Sequence, residues 1–403
     1  MSYPTLHTLN SVRVCIEFCI IHYHVSFLFP TSGGFLSNSM MADNLISFFF
    51  VLSGFVTMHS NFATDFTLPG AKRAYISKKF HRVYPAYLFW FLLDLPGTIF
   101  GGTVNGSWSC PLFWLALASQ PILLHSWLGC QHIAISNGVG WYLCTLFWLW
   151  ILFPFMDHHN LFSSNPWSKI VCLYLVSLAG WGAFFQFNIV YTRALPLLRI
   201  CEFLMGCLVA FTTERRLNGW LVLAVALLFP AYCCLTFLLP DLWPSEQLFG
   251  QCQLWIPRQT QDISPTIFLS KFALVYCILI HYLASTEVTG ERPPMLQPLH
   301  WDCFKSLSAF SLHAYLCHYT VACGIRTFSQ WLGIFNWWSL DTMLLTCYSM
   351  AYVSSQLESS LRMAYPFLSP EKRKAAPHSL LIIGPGAERG EKPEAHEQAP
   401  SPP

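Results

Sequence analysis

The sequence carries little charge for its length. Of its 403 residues, only 10% are Asp, Glu, Lys or Arg, whereas about a quarter of a soluble globular domain is charged. So few charged residues cannot coat a water-facing surface, which excludes a soluble enzyme. The net charge is +2, so no broad basic surface is present and no nucleic-acid partner is expected.

The sequence also lacks a Cys-x-x-Cys pair, although it has 16 cysteines. Most of them fall in apolar runs, where cysteine behaves as a small hydrophobic side chain. Those that lie near predicted loops and could pair are Cys110, Cys130, Cys252 and Cys303. Zinc binding and thiol redox chemistry are therefore not expected, and no metal site is predicted.

Long hydrophobic runs are abundant. Hydrophobic residues make up 54% of the chain and aromatic residues 16%, a load that also excludes disorder over most of the length. A membrane-spanning helix needs roughly 20 apolar residues, and the runs are continuous rather than alternating, as helices require. The sequence predicts an all-α integral membrane protein, a polytopic, multi-pass bundle of about ten transmembrane helices. They are placed near 11–30, 44–60, 85–104, 140–156, 170–187, 196–213, 219–239, 265–284, 305–325 and 332–355.

The distribution of basic residues predicts the topology. Five of them crowd residues 72–82, after the second predicted helix, so that loop is placed in the cytoplasm. The basic residues at 215–216 and 372–374 fall on the same side only if an ambiguous apolar run at 109–127 does not span, which favours ten crossings over eleven. Residues 1–360 are predicted to form one transmembrane domain and 371–403 a disordered tail.

The first predicted helix is the richest in ionisable groups, each of which is a functional candidate inside a bilayer. At about 100° per residue, Arg13, Glu17 and His24 form one polar stripe. Arg13 and His24 are separated by about 16 Å along the axis, so both can line one cavity. A neutral imidazole there can accept a proton from a hydroxyl. The alternative is an ordinary Arg13–Glu17 pair with His24 bonded to a neighbouring helix.

Three further sites hold candidate residues. Lys79 and Arg82 lie one helical turn apart before Tyr84-Pro85, which is expected to open a helix; they either clamp an anionic donor or simply set the topology. His318 is predicted to share a hydrogen-bond network with Ser311 and Tyr315. Glu202 lies near Arg199 in the same predicted helix. For His318 and Glu202, a role in holding neighbouring helices together is favoured over a direct role in the reaction.

Six short blocks follow one another along the chain. Arg13 and His24 give a basic residue and a histidine with ten residues between them. The others are Phe49–Phe55 (FFVLSGF), Lys79-x-x-Arg82 with Tyr84-Pro85, Asn137 to Pro154 (W-x-L…P), Arg199 to Gly206 (R-x-x-E-F-x-x-G) and Ser311 to His318. Together they resemble the membrane-bound acyltransferase family 3, which includes O-acetylases of polysaccharides. Departures from its pattern are Lys79 for an arginine, Ser47 for an acid and Leu146 for a glutamate.

This resemblance implies transfer of an acyl group, such as acetyl, from acyl-CoA to a hydroxyl of a carbohydrate or lipid-linked acceptor. His24 is then the general base or relays the acyl group covalently, and Arg13 lines the same cavity. Residues expected to bind the donor are Lys79, Arg82 and Ser53, with Gly54 allowing close approach, and supporting residues are Glu17, Glu202 and His318. Acyl-CoA is a co-substrate and no cofactor is required; the other partners are membrane lipids. The alternatives are a multi-pass transporter and a catalytically degenerate family member.

Overall fold

The described residues of the computed structural model form helices and no strands. They are residues 6–28, 39–104, 111–128, 136–156, 165–186, 194–213, 272–291, 293–334 and 339–364, with the isolated positions 109, 217, 219, 222, 224, 225, 227 and 228. The α-helices are α1 His7–Leu28, α2 Ser39–Asn61, α3 Ala71–Val104, α4 Pro111–Ser119, α5 Gly140–Leu152, α6 Pro166–Gln186, α7 Pro196–Val209, α8 Ala273–Val288, α9 Asp302–Trp331 and α10 Leu340–Ala364. The predicted all-α class is confirmed for these residues.

The ambiguous run at 109–127 contains a helix of only nine residues, α4, followed by a short 3-10 turn. Nine residues reach about 14 Å, which is less than half of a hydrocarbon core of about 30 Å. This helix is therefore too short to cross a bilayer. The helix predicted at 219–239 falls almost entirely outside the described residues, as does the predicted tail at 371–403.

Helix α3 differs from its prediction at its start. It begins at Ala71 and not near Pro85, so the basic residues at 72–82 lie on a helix rather than in a loop, and Pro85 stands in the helix interior. Proline has no N–H, so the carbonyl four residues earlier, that of His81, loses its helical partner. A guanidinium nitrogen of Arg362 in α10 donates to this oxygen at 2.9 Å. At Pro85, a side chain from another helix therefore replaces the missing donor.

Helices α1 and α9 run parallel, with their contacts at an almost constant register. Arg13 donates to the backbone oxygen of Ser308, 295 residues further along the chain, at 3.2 Å. Eleven residues after Arg13, His24 contacts His318, with a separation of 294 residues. A constant difference in residue number means that the two helices run in the same direction. The polar stripe predicted on α1 therefore faces one helix, α9.

Helices α2 and α7 cross at two glycines. A methyl group placed on Gly54 would stand 1.9 Å from the backbone oxygen of Phe203, and one on Gly206 would stand 1.9 Å from the backbone oxygen of Val51. Such closeness is available only to glycine, and small residues let helix backbones approach in this way in membranes. This crossing holds the Phe49–Phe55 block against the helix that carries Glu202.

Candidate active site

Two histidines from α1 and α9 meet in a direct hydrogen bond. The Nδ1 of His24 lies 2.8 Å from the Nε2 of His318, and the ring planes differ by 3° with centroids 5.1 Å apart. That centroid separation is about the N···N distance plus the two ring radii, so the imidazoles meet edge to edge in one plane. His318 is fully buried, whereas His24 is half-buried.

The contacts of His318 determine where the protons of the neutral pair lie. Its Nδ1 is 3.2 Å from the backbone oxygen of Ala314, which can only accept, so this nitrogen carries the hydrogen. The Nε2 of neutral His318 is then the acceptor, and the Nδ1 of His24 must donate to it. The basic lone pair of His24 is consequently on Nε2, the nitrogen turned away from His318. A histidine oriented by a second group in this way has the arrangement of a general base.

Arg13 and Glu17 occupy the same stripe, about three and two turns before His24. Among the described residues, no direct ion pair joins them; they interact only at longer range, and the Glu17 carboxyl instead interacts with the Ser311 hydroxyl. Glu17 is 4% exposed, and one of its oxygens has no hydrogen-bond partner in the described part of the chain. The simple Arg13–Glu17 pair is therefore not what the structure shows, and both groups are placed toward α9.

Aromatic rings connect the arginine end of the stripe to the histidine pair. Arg13 interacts electrostatically with Tyr142 of α5, and the Tyr142 ring lies 5.5 Å from that of Tyr315. Tyr315 in turn lies 5.9 Å from His318 and donates from its hydroxyl to the backbone oxygen of Val139 at 2.8 Å. Tyr142 thus stands between the two ends. Tyr142 is not among the residues predicted from the sequence, although it directly follows the tryptophan of the W-x-L block.

Lys79 and Ser53 are joined through a tryptophan of α5. The Lys79 ammonium lies 4.8 Å from the ring centroid of Trp150, and the indole N–H of Trp150 donates to the Ser53 hydroxyl at 3.2 Å. Lys79 also donates to the Thr57 hydroxyl at 3.4 Å. The structure therefore brings together two of the three predicted donor-binding residues. Lysine makes single-point contacts rather than the bidentate contacts of arginine.

Arg82 lies one turn after Lys79 on α3. Its side chain is exposed, and it interacts electrostatically with Lys79 on its own helix and with Arg13 on α1. Arg13, Lys79 and Arg82 thus form a positively charged group near one end of the polar stripe. A group of like charges is stable when an anion lies among them, as a phosphate would.

The expectation for Gly54 is wrong. Its backbone is covered by Phe203 at the α2–α7 crossing, so it offers no close approach to a thioester. Its neighbour Ser53 keeps a half-buried hydroxyl and stays a donor-binding prediction. Gly54 is required by packing because no side chain fits between the two helices.

Glu202 belongs to a buried ion pair with Arg199. Arg199 donates to its two carboxylate oxygens at 3.0 and 2.9 Å, and the Ser47 hydroxyl donates to it at 2.9 Å. Arg199 and Glu202 are 1% and 0% exposed. Ser47, which replaces an acid of the family pattern, therefore adds a neutral donor to this pair. Leu146, which replaces a glutamate, is 4% exposed and packs in the hydrophobic core.

Asn137 is a further candidate that sequence analysis gave no role. It has a left-handed backbone with a φ of 43°, its backbone N–H donates to the Asp94 carboxylate at 2.7 Å, and it is 2% exposed. Both polar atoms of its side chain lack partners among the described residues. The adjacent Gly138 packs against Tyr319, whose ring lies 6.1 Å from that of His24. Buried amides are normally paired, so this one is suited to a polar ligand.

A comparison with known families identifies the family of the chain. The family model described as an acyltransferase domain matches residues 6–354. The chain belongs to acyltransferase family 3. This enzyme is accordingly an acyltransferase for groups other than aminoacyl groups, of a family that is typically embedded in membranes. No curated protein and no solved structure matches the acyltransferase.

Proposed function

We propose that this acyltransferase is a multi-pass membrane enzyme that moves an acetyl group from acyl-CoA to a hydroxyl of a carbohydrate or lipid-linked acceptor. His24 is the general base that removes the proton of the hydroxyl. The in-plane hydrogen bond between His24 and His318 carries this proposal, because it leaves the Nε2 of His24 basic and fixes the direction of its lone pair. Membrane lipids surround the helices.

The outer surface supports a membrane location. On α3, Phe89, Leu92, Leu93 and Phe100 are 37–66% exposed, and α6 and α10 expose other large apolar side chains. Soluble proteins rarely expose such continuous apolar surface. Among the described residues, one helix, over Ala71–Phe100, is long and apolar enough to cross a membrane. Shorter apolar helices occur at Gly140–Phe155 and Ala273–Val288.

The parallel direction of α1 and α9 supports ten crossings over eleven. With ten, these helices are the first and ninth spans and run in the same direction. If 109–127 also crossed, α9 would become the tenth span and would run opposite to α1. The short length of α4 agrees with the same count. The basic residues of α3 then lie at the cytoplasmic rim, where acyl-CoA is available.

The donor site in this proposal combines Lys79, Arg82 and Ser53, with Arg13 on the opposite wall. The Lys79→Ala, Arg82→Ala double variant is expected to raise the KM for acetyl-CoA at least tenfold, because charge-assisted contacts to phosphate are lost. Lys79→Arg, which restores the family residue, should keep the affinity. Unchanged donor kinetics in the double variant would contradict this assignment.

The test of the base is His24→Ala in isolated membranes supplied with radiolabelled acetyl-CoA. Loss of a general base lowers the rate by about 10²–10⁴-fold, so label transfer should fall by that amount at a normal protein level. His22→Ala is the matched control, because His22 lies on the same helix with its ring beside Phe18 and outside the stripe. Full transfer by His24→Ala would remove this histidine from the mechanism. Hydroxylamine-sensitive label on the wild type alone would instead indicate a covalent relay.

A further inference from the structure

A cleft opens beside the N-terminal half of α3. It has a volume of about 660 Å³, within the range of ligand sites in proteins. We call it the α3 cleft; its lining includes three basic side chains and four phenylalanines, Lys72, Arg73, His81, Phe66, Phe80, Phe147 and Phe155. Neither Lys79 nor Arg82 lines it.

The cleft combines fixed positive charge with flat apolar faces. The Lys72 ammonium lies 4.5 Å from the ring centroid of Phe155, and Phe155 is 61% exposed, so both are accessible to a ligand. Arg73 is exposed. Thr67 donates to Asp65 from its hydroxyl and amide, and these hydrogen bonds lower the pKa of Asp65. Two cations still outnumber this carboxylate, so the cleft attracts anions.

The two features together select a phosphorylated aromatic ligand. Bases stack on aromatic side chains, and lysine and arginine bind phosphate groups. A simple anion such as inorganic phosphate would leave the phenylalanine faces uncovered, and an acyl chain would leave the cations unpaired. A nucleotide satisfies both.

Helix α5 contributes to both the cleft and the proposed donor site. Phe147 of α5 lines the cleft, and Trp150, nearly one turn later on the same helix, lies under Lys79. Along α3, Lys72 and Lys79 are about 10 Å apart. A donor that places its nucleotide in the cleft can therefore extend past Lys79 toward Ser53.

Resting on the proposed function, we propose that the α3 cleft binds the adenosine 3′,5′-bisphosphate end of acyl-CoA. The adenine stacks against Phe155 and Phe80, and Lys72 and Arg73 hold the 3′- and 5′-phosphates of the adenosine, which leaves the outer phosphate of the CoA diphosphate to Lys79 and Arg82. The thioester end then continues toward Lys79. The cleft is thus a recognition site that distinguishes CoA thioesters from shorter thioesters.

The test compares acetyl-CoA with S-acetylpantetheine, a donor that lacks the nucleotide. For acetyl-CoA, the Lys72→Ala, Arg73→Ala variant should raise the KM 10- to 100-fold with little change in kcat; for acetylpantetheine, the KM should not change. Phe155→Ala, which keeps both charges, should give a smaller rise with the same donor dependence. Lys78→Ala is the control, because Lys78 is exposed on α3 and outside the cleft. Equal effects on both donors, or no effect on either, would overturn the proposal.

A binding measurement separates this proposal from the proposed function. Adenosine 3′,5′-bisphosphate alone should raise the thermal unfolding temperature of the purified wild type in detergent micelles, but not that of the Lys72→Ala, Arg73→Ala variant. This readout requires no acyl transfer. Absence of stabilisation of the wild type at millimolar nucleotide would reject the cleft even if transfer is observed. Stabilisation without any acyl transfer would reject the proposed function and leave the cleft as a nucleotide site.

Discussion

Arg362 is expected to stabilise the fold by completing α3 at Pro85. Its guanidinium donates to the backbone oxygen of His81 at 2.9 Å, the carbonyl that Pro85 leaves without a helical donor. It also bonds to Glu358 of its own helix. A hydrogen bond from a charged group contributes about 1.5–3 kcal/mol, and a buried acceptor left unpaired carries its own penalty of about 1–3 kcal/mol. Arg362→Met should therefore lower the free energy of unfolding by about 2–3 kcal/mol.

The decisive measurement is the same substitution in a Pro85→Ala background. Alanine restores the N–H that can bond to the His81 oxygen, so Arg362→Met should cost about 1–2 kcal/mol less there, a coupling within the range seen for residues that share a partner. Unfolding is followed by circular dichroism during titration of mixed micelles with SDS. Lys305→Met, which removes an exposed ion pair, is the control and should change stability by less than about 1 kcal/mol. Equal losses in both backgrounds would refute the argument that Arg362 replaces the missing donor.

Three other outcomes follow from the same structure. Gly54→Ala should destabilise the protein by about 3 kcal/mol, because its methyl group would meet the α7 backbone, whereas Gly97→Ala, with open space around its added methyl, should be neutral or stabilising; similar unfolding curves for the two would be inconsistent with the crossing. Glu202→Gln should lower stability by about 3–5 kcal/mol, since the buried charge of Arg199 loses the carboxylate that pairs with it, with kcat per folded molecule unchanged; a lower kcat at normal stability would instead indicate a role in chemistry. His318→Phe should lower kcat about 10- to 100-fold with no change in donor KM, and His318→Gln, which retains an acceptor, should recover part of the rate; equal rates in the two variants would argue against orientation of His24.

The predictions that succeeded depend on local pattern. The spacing of Arg13, Glu17 and His24 predicts one stripe, and α9 contacts all three along its length. The start of α3 was wrong because a proline after a basic segment is typical of a first helical turn. The residue that allows the helix to continue, Arg362, lies 281 residues from His81. No local signal indicates such a contact.

The sequence alone determined the helical class, the buried polar stripe and the acyltransferase family, because composition, helical periodicity and motif order are properties of the chain itself. Only the tertiary structure decided that His24 is oriented by His318, that Gly54 serves packing and that Lys79 reaches Ser53 through Trp150. Each of these depends on which helices lie side by side. Backbone closeness and hydrogen-bond direction arise only when distant segments pack together.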